Sequence, residues 1–329
     1  MTAHRVVYFG TPEYAVPTLI SLARDPRFDV KLVVTQPDRA AGRGRALRAS
    51  AVKNAALELG LPVYQPESLR TAEMRAPLVA VGADVFVVAA YGLIFGRLTL
   101  ATPRLGCVNL HASLLPAYRG ASPVAAAILS GDDETGVTLM RMEVGLDTGP
   151  LVANARTSIE SSDTTETLTR RLGLIGSEMA PDAICAWADG NLMETPQPSR
   201  GATLVRPLIK ADGWLDWQEP ANRIERRLRA MTPWPLGWST NRHGEQLQVL
   251  TGDVTSEGSD EPGTVRIVNR KVLVACGHGS LLLKQVRVAG GKTLDAIALV
   301  NGRKIADGDV LGSNCAVEEP PPLIVPILC

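Results

Sequence analysis

The sequence predicts an α/β fold, a doubly wound and mostly parallel sheet followed by a smaller β-barrel. Three observations carry this. Nearly continuous apolar runs recur at residues 5–9, 30–35, 84–90 and 107–111, and strands buried on both faces lack the polar alternation of a half-exposed sheet. Helical patterns lie between these runs, and strand–helix alternation builds a parallel sheet. After Arg206 short apolar segments separated by Gly-rich turns take over, the pattern of a small barrel.

Each element has a local reason. Residues 12–23 make the first helix, with Pro12 tolerated in its first turn. Residues 50–59 make the second, with Ser50 as N-cap and Gly60 as terminator. A third spans residues 71–81. Ser122 is placed to cap a fourth, with Pro123 at the first position, where no amide hydrogen is needed. Residues 162–188 read as one long helix or a helix pair. Residues 191–206, with two prolines and a Ser-Arg-Gly step, read as a linker. Beyond it a helix over residues 221–231 precedes strands at 247–250, 263–267, 272–275 and 280–288, which suggests a barrel of the oligonucleotide-binding (OB) type. The expected division is a catalytic domain over residues 1–190, the linker 191–206, a C-terminal domain over 207–315, and a Pro-rich tail over 316–329 whose composition favours disorder.

Composition excludes several classes. The 329 residues suit two domains. The chain is 45% hydrophobic and 21% charged, with formal net charge zero and a small basic excess confined to residues 206–316. That excess permits a nucleic-acid partner without requiring one. No apolar run approaches the roughly 20 residues that span a bilayer, and the N-terminus enters a strand pattern without the features of a signal peptide. Cys107, Cys185, Cys276, Cys315 and Cys329 form no C-x-x-C pair, so reduced thiols and a cytoplasmic location are expected. His4, His111, His243 and His278 show no metal-ligand spacing, and no metal is expected. Pro12 breaks any dinucleotide fingerprint at Gly10, and Gly277-His278-Gly279 lacks a third glycine. Trp214, Trp217, Trp234 and Trp238 sit in mixed apolar and Pro-rich contexts, which favours packing at the domain junction over base stacking.

The densest chemistry lies in V-N-L-H-A-S-L-L-P-A-Y-R-G-A-S-P, residues 108–123, followed by G-L-D-T-G at residues 145–149. Asn109 and His111 stand two apart at a strand end, so both side chains leave the same face. Asp147 sits in a Gly-flanked loop. An amide that donates to a developing oxyanion, an imidazole that handles protons and a carboxylate that orients it are the parts that move an acyl group onto an amine. Ser113-Leu114-Leu115-Pro116 interrupts the strand and Arg119-Gly120 makes a turn, so the segment builds a pocket edge. Ser113 has no evident base partner, and a covalent enzyme intermediate is not required. Taken alone, His111 also fits a satisfied strand-end histidine. Residues 38–48 hold Arg39, Arg43, Arg45 and Arg48 around Gly42 and Gly44. Such a loop is either a solvated surface loop or a mobile cationic arm that closes on RNA phosphates.

Residues 109–120, read with the later D-T-G, resemble the signature N-x-H-x-S-L-L-P-x-x-R-G of the 10-formyltetrahydrofolate-dependent formyltransferases. The resemblance implies a Rossmann-like catalytic domain in which Asn109, His111 and Asp147 are catalytic. It implies folate contacts from Ala90, Tyr91, Gly92, Leu93 and Ile94 and from Ser113, Leu114, Leu115 and Pro116. The opening R-V-V-Y-F-G-T-P-E-Y-A-V-P from Arg5, the T-Q-P-D-R-A-A-G-R-G-R run from Thr35, Lys210 to Trp217, Pro233-Trp234-Pro235 and Asn301 to Lys304 resemble the branch that formylates initiator methionyl-tRNA. That branch implies direct attack of the methionyl α-amine on the formyl group of 10-formyltetrahydrofolate through an oxyanion tetrahedral intermediate, in translation initiation. It also implies tRNA contacts from Arg39, Arg43, Arg45 and the OB-like domain, with no metal, no membrane and no obligate protein partner. Ala49-Ser50-Ala51 stand where the family carries loop prolines, and Ala117 and Ala125 where it often carries long polar side chains. A formyltransferase acting on a small amine and a non-catalytic RNA-binding relative remain as alternatives.

Overall fold

The computed structural model describes residues 3–41, 46–256, 260–288, 290–313 and 320–327. Along the first half run β1 (His4–Gly10), α1 (Val16–Arg24), β2 (Phe28–Val34), β3 (Arg39–Ala41), β4 (Ala46–Arg48), α2 (Ala51–Glu58), β5 (Val63–Tyr64), α3 (Ala72–Val81), β6 (Val85–Ala89), α4 (Arg97–Leu100), β7 (Gly106–His111), β8 (Arg119–Gly120), α5 (Pro123–Ser130), β9 (Glu134–Arg141), β10 (Leu151–Ser158) and α6 (Thr165–Ala188). The main sheet has the order β10-β9-β7-β6-β1-β2-β5. It is parallel from β7 to β5, and β9 and β10 join antiparallel at one edge.

The apolar runs explain this placement. Alternate residues of β1 face opposite cores. Val6 and Tyr8 pack with Val87, Val108 and Leu172, while Val7 and Phe9 pack with Phe86, Val88 and Tyr91. A strand covered on both faces needs no polar residue in either phase. Ser50 accepts from the Lys53 N–H at 3.0 Å and starts α2 as expected. Residues 162–188 hold one helix rather than a pair, α6 from Thr165 to Ala188, begun by a capping box at Thr164. Residues 12–23 differ from a single helix: a 3-10 turn over Glu13–Ala15 precedes α1. Ser122 occupies the N-cap of α5 but makes no side-chain capping bond, because its φ of −131° and ψ of 48° depart from capping geometry.

The chain continues through β11 (Thr203–Val205) and then a second body of α7 (Ala221–Ala230), β12 (Gly237–Thr240), β13 (Gln246–Thr255), β14 (Val265–Val268), β15 (Lys271–Ala275), β16 (Ser280–Val288), β17 (Leu294–Asp295) and α8 (Ile297–Asn301), before β18 (Ile324–Pro326). Its antiparallel sheet runs β12-β13-β16-β15-β14, with β17 on β16. The sheet wraps Leu215, Trp217, Ile224, Leu228, Val249, Val274, Leu281 and Val286 into a small barrel-like unit. Trp217 is buried and donates to Ser239 Oγ, and Trp214 packs edge-on against Trp238. Trp234 is 54% exposed, so the packing expectation fails there: its turn between Pro233 and Pro235 carries the ring outward. Among the described residues no helix is long and apolar enough to cross a membrane.

Two segments correct the sequence reading. Residues 191–206 are not a free linker. Thr195 exchanges two backbone hydrogen bonds with Leu151, and β11 pairs in parallel with β8. The disorder expected of the tail gives way over residues 320–327. Here β18 adds antiparallel to β11, completing a small sheet β18-β11-β8. Ladder bonds and the packing of Leu323 on the main core offset the ordering cost that its composition alone would leave unmet. Proline content hides this, although a proline is tolerated on an edge strand.

Candidate active site

The site forms where the parallel strands end. In open α/β sheets ligands lie beyond the carboxyl ends, where strand order reverses. Here β1 sends the chain to β2 on one side and receives β6 on the other. The Tyr91 carbonyl just after β6 accepts from Thr11 Oγ1 and from Gln36 Nε2, both at 3.0 Å, so the ends of β1, β2 and β6 are knitted together. β7 lies beside β6 and ends on His111.

His111 is 6% exposed, with one ring nitrogen hydrogen-bonded and the other facing a carboxylate. Its Nε2 lies 2.8 Å from the Tyr118 carbonyl oxygen. A carbonyl only accepts, so Nε2 carries the hydrogen and Nδ1 is the basic nitrogen. Nδ1 faces Asp147 Oδ2 at 3.6 Å. The Asp147 carboxylate, 14% exposed, also accepts from the Gly120 N–H at 2.8 Å. A proton taken up at Nδ1 therefore faces the Asp147 carboxyl group. Asn109, two residues before His111 on β7, is half-buried, and its amide has no hydrogen-bond partner among the described residues. The structure thus brings His111 and Asp147 together and leaves a donor unspent on the same strand face.

Asp147 has φ 52°, in the left-handed region, and its loop folds back on β9. A methyl group on Gly149 would overlap the Arg141 carbonyl oxygen, so only glycine allows the approach. Tyr118, also left-handed at φ 61°, donates its hydroxyl to Asp132 Oδ2 at 2.6 Å. Burial, with that hydrogen bond, pushes the Tyr118 phenol up to about 12, so it stays neutral and keeps the bond.

The remaining expected residues divide. Ser113 is fully buried and donates Oγ to the Ala117 carbonyl, while its own carbonyl accepts from Thr138 Oγ1. Leu115 is buried and its N–H donates to Thr138 Oγ1. Ser113 to Pro116 therefore hold the turn that carries Tyr118, with Leu114 and Pro116 half-buried. Ala90 and Gly92 take φ 47° and 88°, and Ile94 is 84% exposed beside half-buried Leu93. Tyr91 is buried with its hydroxyl unpaired. Arg39 is exposed and donates to Gln36 Oε1 at 2.7 Å. Arg43 and Arg45 lie outside the described residues. At the loop's base Asp38 pairs with Lys53 at 2.6 Å, and Lys53 and Gln65 hold its carboxyl below the usual range.

Sequence reasoning missed Tyr118, Gly120 and Gln197. The first two lay inside the motif but act through backbone groups, which leave no side-chain signal. Gln197 stands in a Pro-rich stretch with no periodic pattern. Pairwise histidine spacing also missed a cluster far from this site. His4, Cys185 and Asp189 bring ligand atoms within 4.8 Å of one another, a set able to hold a metal ion, at the start of β1 and the end of α6.

A model for formyl transferase matches residues 4–184, and a model for the formyl transferase C-terminal domain matches residues 207–304. A methionyl-tRNA formyltransferase of Pseudomonas entomophila is 45% identical over 311 residues, covering 94% of this chain and 99% of that protein. A methionyl-tRNA formyltransferase of Sorangium cellulosum is 46% identical over 312 residues, again 94% and 99%. Among solved structures, an N-formyltransferase from Helicobacter canadensis, in complex with folinic acid and dTDP-3-aminofucose, superposes with TM-score 0.65 at 16% identity, over 89% of this chain and all of that one. At that identity the likeness is one of fold. Both family models match in order along one chain, and relatives near 45% identity span 94% of it: the chain belongs to the formyl transferase family, in its methionyl-tRNA formyltransferase branch.

Proposed function

We propose that the chain transfers the formyl group of 10-formyltetrahydrofolate to the α-amino group of methionine on initiator methionyl-tRNA, in the cytoplasm. The relatives' identity over almost the whole chain supports the substrate pair. The observation that carries the chemistry is the pairing of His111 Nδ1 with Asp147 Oδ2 at 3.6 Å, with Nε2 committed to a backbone carbonyl.

The folate supplies a formyl carbon bound to a nitrogen that leaves. The exposed Ile94, the half-buried Leu93 and the unpaired buried Tyr91 hydroxyl, just after β6, suit such an amphipathic ring system. Asn109 donates to the formyl oxygen as negative charge grows there, a contact stronger in the transition state than before it. His111 takes the proton the amine loses on attack and returns it to the departing nitrogen. Asp147 holds the imidazolium between those steps. Protons balance, and no covalent bond to the enzyme forms. Arg39, Arg43 and Arg45 contact the tRNA, so its binding weakens as salt rises.

The test is single-turnover formylation with charged initiator tRNA, charged elongator tRNA and an amino sugar nucleotide as acceptors. Initiator tRNA is expected to be the preferred acceptor, with Asn109→Ala and His111→Ala slowed by about 100-fold or more while tRNA binding persists. Near wild-type rates in both variants, or preference for the amino sugar, would overturn the reading.

A further inference from the structure

The carboxylate at residue 147 stands in a loop between two strands, and a loop does not by itself hold a side chain to the tolerance that proton transfer needs. One side chain from the segment between the two bodies supplies the missing constraint. Gln197 Nε2 donates to the Asp147 carbonyl oxygen at 2.8 Å and to the Gly149 carbonyl oxygen at 2.7 Å. Its Oε1 accepts from Arg119 Nε at 3.1 Å and Nη2 at 2.8 Å. The amide orientation follows from the partners: two carbonyls that only accept on one side, a guanidinium that only donates on the other. All four polar valences of Gln197 serve the site.

The bonds close a ring. Arg119 is followed by Gly120, whose N–H donates to Asp147 Oδ2. It is preceded by Tyr118, whose carbonyl accepts from His111 Nε2. Gln197 thus fixes the backbone of residue 147 to the strand that fixes both its carboxylate and the imidazole it faces. Gln197 is itself anchored, because Thr195 pairs with Leu151 and Glu194 accepts from Arg141 and Trp187.

We propose that Gln197 is a positioning residue for the Asp147–His111 pair, bridging Arg119 to the 147–149 backbone. The role rests on the formyl transfer proposed above. Gln197→Met keeps length and volume but loses all four bonds. Gln197→Glu keeps the acceptor towards Arg119 and loses both donors. Each is expected to lower kcat for formylation by about 10- to 100-fold, with KM for the folate and for charged tRNA within about twofold and thermal stability close to wild type. In an Asp147→Asn background, where the charge to be positioned is gone, Gln197→Met is expected to add less than about a twofold loss.

Three results overturn the role: unchanged kcat in Gln197→Met, a loss of equal size in both backgrounds, or a loss that tracks a fall in melting temperature. A wild-type enzyme that transfers no formyl group to charged tRNA would overturn the functional reading and this role with it. An active wild type with an indifferent Gln197→Met removes the positioning role alone.

Discussion

The backbone N–H of Gly120 donates to Asp147 Oδ2 at 2.8 Å, tying a loop carboxylate to the two-residue strand that follows the acceptor of His111. That strand is one edge of the small sheet β18-β11-β8, in which β11 joins it to the tail. The geometry of the proposed proton relay thus depends on pairing between segments far apart in the chain.

Gly120 is where this support is least tolerant of change. Its φ is 104°, and a methyl group there would overlap the Val205 carbonyl oxygen. Gly120→Ala is expected to cost about 1–3 kcal/mol of stability and to lower kcat by displacing the Asp147 donor. Urea unfolding with formylation kinetics on the same samples checks it; wild-type values in both would contradict the assignment.

Asp147→Asn keeps an oxygen for the Gly120 N–H while removing the charge that faces Nδ1. Stability is expected to change little and single-turnover formylation to fall by about 100-fold or more. A variant equally slow but unfolded by circular dichroism would point to a structural role instead.

Arg206 joins the tail to the interdomain segment. It bonds both oxygens of buried Asp212, at 2.8 and 2.6 Å, and donates to the Pro321 carbonyl at 2.6 Å. Arg206→Ala leaves a buried carboxylate without its cation, a change that typically costs about 3–5 kcal/mol. The expected outcome is a lower unfolding midpoint with faster proteolysis of residues 320–327. Wild-type protection of the tail would show that the β18–β11 ladder suffices.

Burial pushes the Cys107 thiol up to about 12 and the Cys276 thiol up to about 11. The thiolate fraction at pH 8 is then about one in ten thousand and one in a thousand. Iodoacetamide at pH 8 is expected to spare both in the native protein and to label both in urea, as read by peptide mass spectrometry. The sign for stability follows. Below the ordinary thiol value of 9.0 both states are protonated and these groups contribute nothing pH-dependent. Above it the unfolded chain loses protons that the fold retains, so stability falls as pH rises from about 9 towards 11–12. A flat urea midpoint across that range would refute it.

How much of this was legible follows the range of the forces involved. The strands at 5–9, 30–35, 84–90 and 107–111 were visible because burial on both faces writes an unbroken apolar run. Ser50 was visible because a cap acts within three residues. β9 and β10 were not: β10 is an edge strand with one solvated face, and its pairing with β9 is a tertiary choice.

By itself the sequence determined which groups are present, Asn109 and His111 on one strand face and a carboxylate in a Gly-flanked loop, since residue type and period-two spacing are local. Only the tertiary structure decided how they are held. The Tyr118 carbonyl that assigns the His111 tautomer, the Gly120 N–H on Asp147, the Gln197 bridge and the β18 strand are set by backbone groups and long-range contacts. A backbone N–H or carbonyl is the same in nearly every residue, so only folding reveals which one meets which side chain.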